Sequence, residues 1–228
     1  MQKIIVAIDG FAATGKSSLA KRLAKALGYT YIDTGAMYRA ITYFNLNISN
    51  NYLINKKKLI SSLDNIKIHF EDNFLGQKTF LNDVNISKEI RQNDVNSVVS
   101  YIAKIKEVRT FLVKQQQALG ENKGVIMDGR DIGTVVFPNA ECKFFLTANS
   151  QVRAERRLHE QLKTNLSESY ESVLANINKR DSIDRSRKFS PLNKAEDAYE
   201  IDVSDLSLEE VYNIMWDYVS RKLENSIT

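Results

Sequence analysis

The chain of 228 residues has little of what builds disulfides and metal centres: one cysteine and two histidines. Cys142 alone excludes any disulfide within the chain. Its setting in Glu141-Cys142-Lys143-Phe144-Phe145-Leu146 reads as a small buried hydrophobe rather than a nucleophile. His69 and His159 lie far apart without neighbouring cysteines, so a histidine-based metal site is not expected. No apolar run is long enough to span a bilayer, and with the first strand reading from Lys3 onward no signal peptide is expected. A cytoplasmic protein without a membrane partner is expected. The net charge of +4 invites a nucleic-acid reading, but 28 acidic residues are dispersed among 32 basic ones and no long Lys/Arg block occurs, so no nucleic-acid partner is expected. Internal repeats and low-complexity segments are absent as well, and the length suits one domain with inserted subdomains.

What is present is concentrated near the start. Gly10-Phe11-Ala12-Ala13-Thr14-Gly15-Lys16-Ser17, followed by Ser18, spells G-x-x-x-x-G-K-[ST] directly after the apolar run Lys3-Ile4-Ile5-Val6-Ala7-Ile8. A buried parallel strand that ends in a glycine loop and opens a helix aims backbone N–H groups and the positive helix end at one point, where phosphates sit. In that motif Lys16 meets the β- and γ-phosphates and Ser17 the Mg²⁺. The expected ligand is a nucleoside triphosphate.

Downstream, Leu19, Ala20, Leu23, Ala24 and Leu27 mark one helical face, with Gly28 as its stop. Tyr29 to Ile32 reads as a strand, and Asp33-Thr34-Gly35 turns into a helix over about 36–44. Between Leu63 and Ser87 the pattern alternates in Ile66-Lys67-Ile68-His69-Phe70 and Thr79-Phe80-Leu81, with turn chemistry at Asp72-Asn73 and Gly76, predicting a small antiparallel insert. Residues 96–119 return to helical period as one long or broken helix ending at Gly120. Gly124 to Asp128 and Cys142 to Leu146 are two more buried-strand candidates, and Tyr199 to Val203 a last strand. A closing helix is predicted over 207–223. Strands alternating with helices argue for an α/β fold with a parallel sheet covered on both faces. Polar helices over 151–163 and 168–185 carry Arg153, Arg156, Arg157, Arg180 and Arg185, with Arg187 just beyond.

A P-loop alone does not separate a kinase from a switch or a motor. Two other clusters leave strand ends at the same sheet edge, where ligands of open α/β sheets bind: Asp33 to Arg39, and Asp128-Gly129-Arg130-Asp131-Ile132-Gly133-Thr134. With the P-loop, the Ile86 to Arg91 stretch, the Asp128 to Pro138 run and Arg180-Asp181 through Pro191-Leu192, the chain resembles the bacterial cytidylate kinases along nearly its whole length. The resemblance implies a P-loop kinase fold with a five-stranded parallel sheet flanked by helices, a β insert at about 63–95 and a helical lid at about 150–190, all within one 228-residue kinase chain. It implies transfer of the ATP γ-phosphoryl group to CMP or dCMP with Mg²⁺, and a monomer is the expected state.

By the same resemblance, Arg39, Arg130 and Arg187 hold the acceptor phosphate, Ser100, Arg109 and Asp131 the cytosine, and Arg180 with Asp184 the ribose. Thr34 stands close to the acceptor, Asp128 meets Mg²⁺ through water, and Arg153 and Arg157 of the lid bear, with Lys16 and Arg130, on the transferring group. The chemistry suits such residues, since phosphoryl transfer between polyanions is limited by charge and positioning and an acceptor phosphate is already a competent nucleophile. Blander readings stand beside these: Asp128 as an organiser of the P-loop, lid arginines in surface pairs with Glu155, Glu160 or Glu168, and Arg130-Asp131 as a salt bridge. Ala13 and Phe11 depart from the glycine and proline that many nucleoside monophosphate kinases carry there. The alternatives in function are another small-molecule P-loop kinase, acting on UMP, a deoxynucleoside or shikimate, or a nucleotide-regulated nucleic-acid-binding module.

Overall fold

Six consecutive buried residues, Ile5–Gly10, form strand β1, and the rest of the architecture is hung on it. The structure, a computed structural model, describes residues 3–49, 54–73, 76–162 and 168–224. After β1 come helix α1 (Lys16–Leu27), strand β2 (Thr30–Asp33), helices α2 (Thr34–Ile48) and α3 (Lys56–Ser62), and strands β3 (Ile68–Asn73), β4 (Gly76–Leu81) and β5 (Val84–Asn85). Helices α4 (Asn93–Ile102) and α5 (Lys106–Leu119) lead to strands β6 (Val125–Gly129) and β7 (Cys142–Thr147). Helices α6 (Ser150–Leu162) and α7 (Tyr170–Arg185), strand β8 (Tyr199–Asp202) and helix α8 (Leu208–Glu224) complete the order. No described helix is long and apolar enough to cross a membrane. The chain divides into two compact units, Met1–Ile32 with Gln117–Thr228, and Asp33–Gln116.

In the first unit, the expected five-stranded parallel sheet is present in the order β2-β6-β1-β7-β8. β1 sits at its centre, parallel to β6 with Ile8 beside Asp128, and parallel to β7 with Gly10 beside Leu146. Burial on both faces explains the unbroken apolar runs that marked these strands. Ile4, Val6 and Ile8 point to one face, where they pack with Leu19 and Leu23 of α1, Phe144 and Leu146 of β7, and Val211 and Met215 of α8. Asp9 therefore points to the other face. Gly28 ends α1 in the left-handed conformation, as its position predicts. A pairing of Arg22 with Glu209 adds a tie between α1 and α8 at the surface.

The second unit has its own core, in which Met37 and Ile41 of α2, Leu59 of α3, Ile90, Ile102 of α4, and Val108 and Leu112 of α5 are buried together. The predicted antiparallel insert is present, with Ile68 paired to Leu81 and His69 to Phe80, and β5 adds a third strand too short to read from alternation. Asp72 and Asn73, expected to form a turn with Gly76, instead belong to the end of β3 and Gly76 to the start of β4, and residues 74–75 lie outside the described residues. α2 begins earlier than the sequence suggests because the Asp33 carboxylate caps it, accepting from the Ala36 amide at 2.8 Å. The stretch 96–119 is a broken helix, interrupted over 103–105 where the Lys104 and Ile105 amides tighten onto the Tyr101 and Ile102 carbonyls. α3, unseen in the sequence, is capped by the Asn55 side chain. The predicted end of the Gln151 helix at Lys163 also lies outside the described residues.

Candidate active site

The P-loop takes its shape from backbone demands at three positions. Gly10 has φ 144°, and a Cβ there would stand 2.1 Å from the Leu146 carbonyl oxygen, so the close approach of β1 to β7 admits no side chain. Ala13, the departure from glycine, sits at φ 58° in the left-handed region. Gly15, at φ 84°, is the N-cap of α1 and supplies no side-chain cap, leaving the first-turn amides of α1 to face the loop. Lys16 is 5 % exposed, and its ammonium donates to the Phe11 carbonyl and, at 3.3 Å, to the Thr14 hydroxyl. It makes no ion pair among the described residues. Burial holds its pKa well below the usual lysine range, with Arg130 and Arg180 pushing the same way and Asp128 and Asp9 opposing. A buried ammonium solvated only by neutral oxygens is poised to gain from an anion.

Asp128, at the end of β6, binds two hydroxyls: Ser17 donates to Oδ2 at 2.9 Å and Tyr31 to Oδ1 at 2.8 Å. The Asp128 carboxylate thus orders the P-loop serine. On the opposite face of β1, both Asp9 oxygens accept backbone amides, from Ile132 at 2.8 Å and Gly133 at 2.7 Å. Burial pushes the Asp9 carboxyl up to about 7 against the pull of those two amides, with Asp131 adding and Lys16 opposing. The Asp9 bonds fix the turn that carries Arg130 and Asp131 into the π-helical segment Ile132–Val136.

Arg130 does not pair with its neighbour Asp131. Its Nε donates to Asp184 Oδ2 at 3.1 Å and one terminal nitrogen donates to the Gly129 carbonyl. Arg187 donates from Nε to the Asp184 carbonyl oxygen at 3.2 Å and stands 3.7 Å from its carboxylate. Burial would raise the pKa of Asp184, but Arg130, Arg180 and Arg187 outweigh it and hold the carboxyl below the usual range. One carboxylate thus faces three guanidiniums, and the charge of two of them, Arg130 and Arg180, also reaches Lys16. Cations outnumber carboxylates in this cluster, which is a setting for polyanions.

The arginines expected for a lid separate into distinct settings. Arg153 is buried, pairs with Asp181 at 2.7 Å and donates to the Ala148 carbonyl. Arg156 is committed to backbone, donating to the Val203 carbonyl at 2.7 Å. Arg157 is half-buried and pairs with Glu160 at 3.4 Å, one of the glutamates of the blander reading. Beside the P-loop, a cavity of about 1260 Å³ is lined by Phe11, Arg153, Arg185, Asn149, Asp202 and Ser204 among others.

Four expected site residues belong to the second unit. Arg39 pairs with Asp33 at 3.0 Å, and Arg91 stands 3.8 Å from the same carboxylate. Thr34 opens α2 and is buried. Ser100 and Arg109, which a helical pattern alone would assign to solvent, are 6 % and 3 % exposed. Arg109 donates to the Ala103 carbonyl and lies 5.1 Å from the Tyr38 ring centroid. The first unit gathers the P-loop, Asp128, Arg130, Asp131, Arg180, Asp184 and Arg187. Sequence reasoning missed Tyr31 and Asp9 as organisers and Asp181 as the partner of Arg153. An aspartate in an otherwise apolar central strand was the one available signal, for Asp9.

The family model described as cytidylate kinase matches residues 6–221. The cytidylate kinase of Flavobacterium psychrophilum is 54% identical over 224 residues, covering 96% of this chain and 99% of that protein. That of Bacillus subtilis is 47% identical, covering 97% and 98%. An uncharacterised protein of known structure from Eubacterium ventriosum shares the fold at a TM-score of 0.52 and 12% identity, covering 96% of this chain and 99% of its own. A P-loop on a five-stranded parallel sheet, an arginine cluster organised by one aspartate, and a match along almost every residue place the chain in the cytidylate kinase family.

Proposed function

We propose that the protein transfers the γ-phosphoryl group of ATP to CMP and dCMP, releasing ADP and the diphosphate. The observation that carries this reading is the near-complete match to cytidylate kinases, at 54% identity over 96% of the chain. The site chemistry supports it. Lys16 and the α1 amides offer donors to the β- and γ-phosphates, and the Arg130, Arg180 and Arg187 cluster offers cations to a second anionic partner. The acceptor phosphate needs no general base, so catalysis is assigned to charge and positioning. Arg153 and Arg157 are the lid candidates for the transferring group, and exclusion of water by the lid guards against hydrolysis of ATP.

Ser17 Oγ and the Asp128 carboxylate are hard oxygen donors 2.9 Å apart. Such a sparse set suits Mg²⁺ held jointly with substrate phosphates, and no larger group of metal-binding side chains occurs among the described residues. Ser17 would ligate the ion and Asp128 would hold one of its waters. When bound, the ion neutralises charge on the β- and γ-oxygens.

The acceptor roles go to Thr34, Arg39, Arg130 and Arg187 for the phosphate side, Arg180 and Asp184 for the ribose, and Ser100, Arg109 and Asp131 for the base. Cytosine presents an N4 donor next to N3 and O2 acceptors, which a carboxylate with an arginine and a serine complements. Uracil would set its O4 against the Asp131 carboxylate with no proton between them. The enzyme is taken to act as a cytoplasmic monomer, which light scattering of the purified protein checks. The functional test is kcat/KM for CMP, dCMP and UMP by coupled ADP release. A preference for CMP over UMP of ~10² or more is expected, and Asp131→Asn should erode it because an amide can offer either a donor or an acceptor. Equal use of CMP and UMP by the unmodified enzyme would overturn the substrate assignment, and an unchanged ratio in the variant would remove Asp131 from base selection.

A further inference from the structure

Phe11 is the P-loop residue that no phosphate chemistry requires, and its ring is the meeting point of the two lid helices. Its apolar neighbours are Phe145, edge-on with ring centroids 6.0 Å apart, and Leu192. Over the ring lie two cations: the guanidinium carbon of Arg153 from α6 is 5.1 Å from its centroid, and that of Arg185 from α7 is 4.5 Å away. Both arginines and Phe11 line the cavity beside the P-loop. The two cations differ in their other ties. Arg153 is also held by Asp181 and the Ala148 carbonyl, with one buried terminal nitrogen lacking a hydrogen-bond partner. Arg185 is exposed and has no carboxylate partner among the described residues.

We infer that Phe11 is a positioning residue that parks Arg153 and Arg185 on its π face, and that ATP draws them off the ring. This rests on the P-loop as the ATP site and on α6 and α7 as the lid. The quadrupole of an aromatic face attracts a guanidinium without saturating its N–H donors. A phosphate oxygen offers charge-assisted, directional bonds and is the stronger partner. The ring therefore gathers the arginines at the edge of the loop where phosphates arrive, yet releases them when those phosphates bind. Only the released fraction of the enzyme grips ATP, so parking lowers apparent ATP affinity by that fraction. A proline at this position would offer no such face.

The primary test uses the unmodified protein. In the nucleotide-free enzyme the guanidinium N–H resonances of Arg153 and Arg185 should be displaced upfield by the ring current of Phe11, with Arg185→Gln identifying one of them. On titration with ATP both should move downfield in step with the Gly15 and Lys16 amides. If the P-loop amides respond while the arginine signals stay in place, or if no upfield displacement exists beforehand, the parking role is overturned and the ATP site stands. If the P-loop amides do not respond to ATP, the underlying site assignment fails instead.

A second test reads affinity. Phe11→Leu keeps apolar contact with Phe145 and Leu192 but has no π face, and should bind ATP about three- to tenfold more tightly, a range set by the strength of one or two cation–π contacts. KM for CMP should not change, Phe11→Tyr should restore the ordinary ATP affinity, and the gain should shrink in an Arg185→Gln background. Unchanged or weaker ATP binding by Phe11→Leu, or a gain that Arg185→Gln leaves intact, counts against the proposal.

Discussion

Arg130 Nε donates to Asp184 Oδ2 at 3.1 Å across 54 residues of sequence, joining the turn after β6 to the last turn of α7. Because Arg180 and Arg187 also face Asp184, removing its charge leaves three guanidiniums without their common counter-ion. Asp184→Asn should cost about 3 kcal/mol of stability, the scale for breaking a buried pair on one side. Urea denaturation at pH 7 measures this, and a loss below ~0.5 kcal/mol would show the cluster to be held by other means.

Lys16→Ala tests the P-loop directly. The ammonium rests on neutral oxygens and packs no apolar core, so the variant should keep the circular dichroism and unfolding midpoint of the parent. Its kcat should fall about a hundredfold to a thousandfold, as for loss of one donor to transition-state charge. A folded variant with near-normal turnover would displace phosphoryl stabilisation from this loop.

Ala13 carries a left-handed backbone at φ 58° that glycine adopts without penalty. Ala13→Gly should therefore raise stability by about 0.5–1 kcal/mol, the strain relieved exceeding the added chain entropy. Thermal unfolding of the two proteins under identical nucleotide-free conditions decides the sign.

The Asp9 carboxyl, at about 7 when folded against 3.8 in its reference state, gives a stability term with a definite direction. Between those values the folded chain binds more protons than the unfolded one. Stability from this group is fully present below about pH 4 and is lost as pH rises through 7. Relative to Asp9→Asn, which cannot ionise, the parent should lose ~1 kcal/mol per pH unit across the middle of that window. Denaturation series at pH 5, 6, 7 and 8 check it, and a pH-independent difference between the proteins would show that Asp9 stays ionised throughout.

The core strands and the P-loop were legible because burial on both faces writes itself as apolar runs, and because Gly10 and Gly15 meet backbone demands that few other residues satisfy. The same local logic failed for pairings made by the tertiary fold. Tyr31 reaches Asp128 from a separate strand, and Arg153 finds Asp181 on the next helix rather than the glutamates on its own. Ser100 and Arg109 sit in polar-looking helical stretches, and only packing against Tyr38 and the broken turn at 103–105 buries the arginine. α3 escaped notice because Lys56-Lys57-Lys58 mask the single apolar anchor, Leu59, that holds it down.

Cys142 lies wholly inside the sheet beside Val6, and burial pushes its thiol up to about 12. Almost none of it is thiolate at neutral pH, so alkylating reagents have no nucleophile to find. The parent enzyme is thus a silent background for labelling chemistry. A single cysteine placed on the exposed side of α7 would carry a spin label or fluorophore alone, and the motion of that helix on nucleotide binding becomes a spectroscopic signal with no prior removal of native thiols.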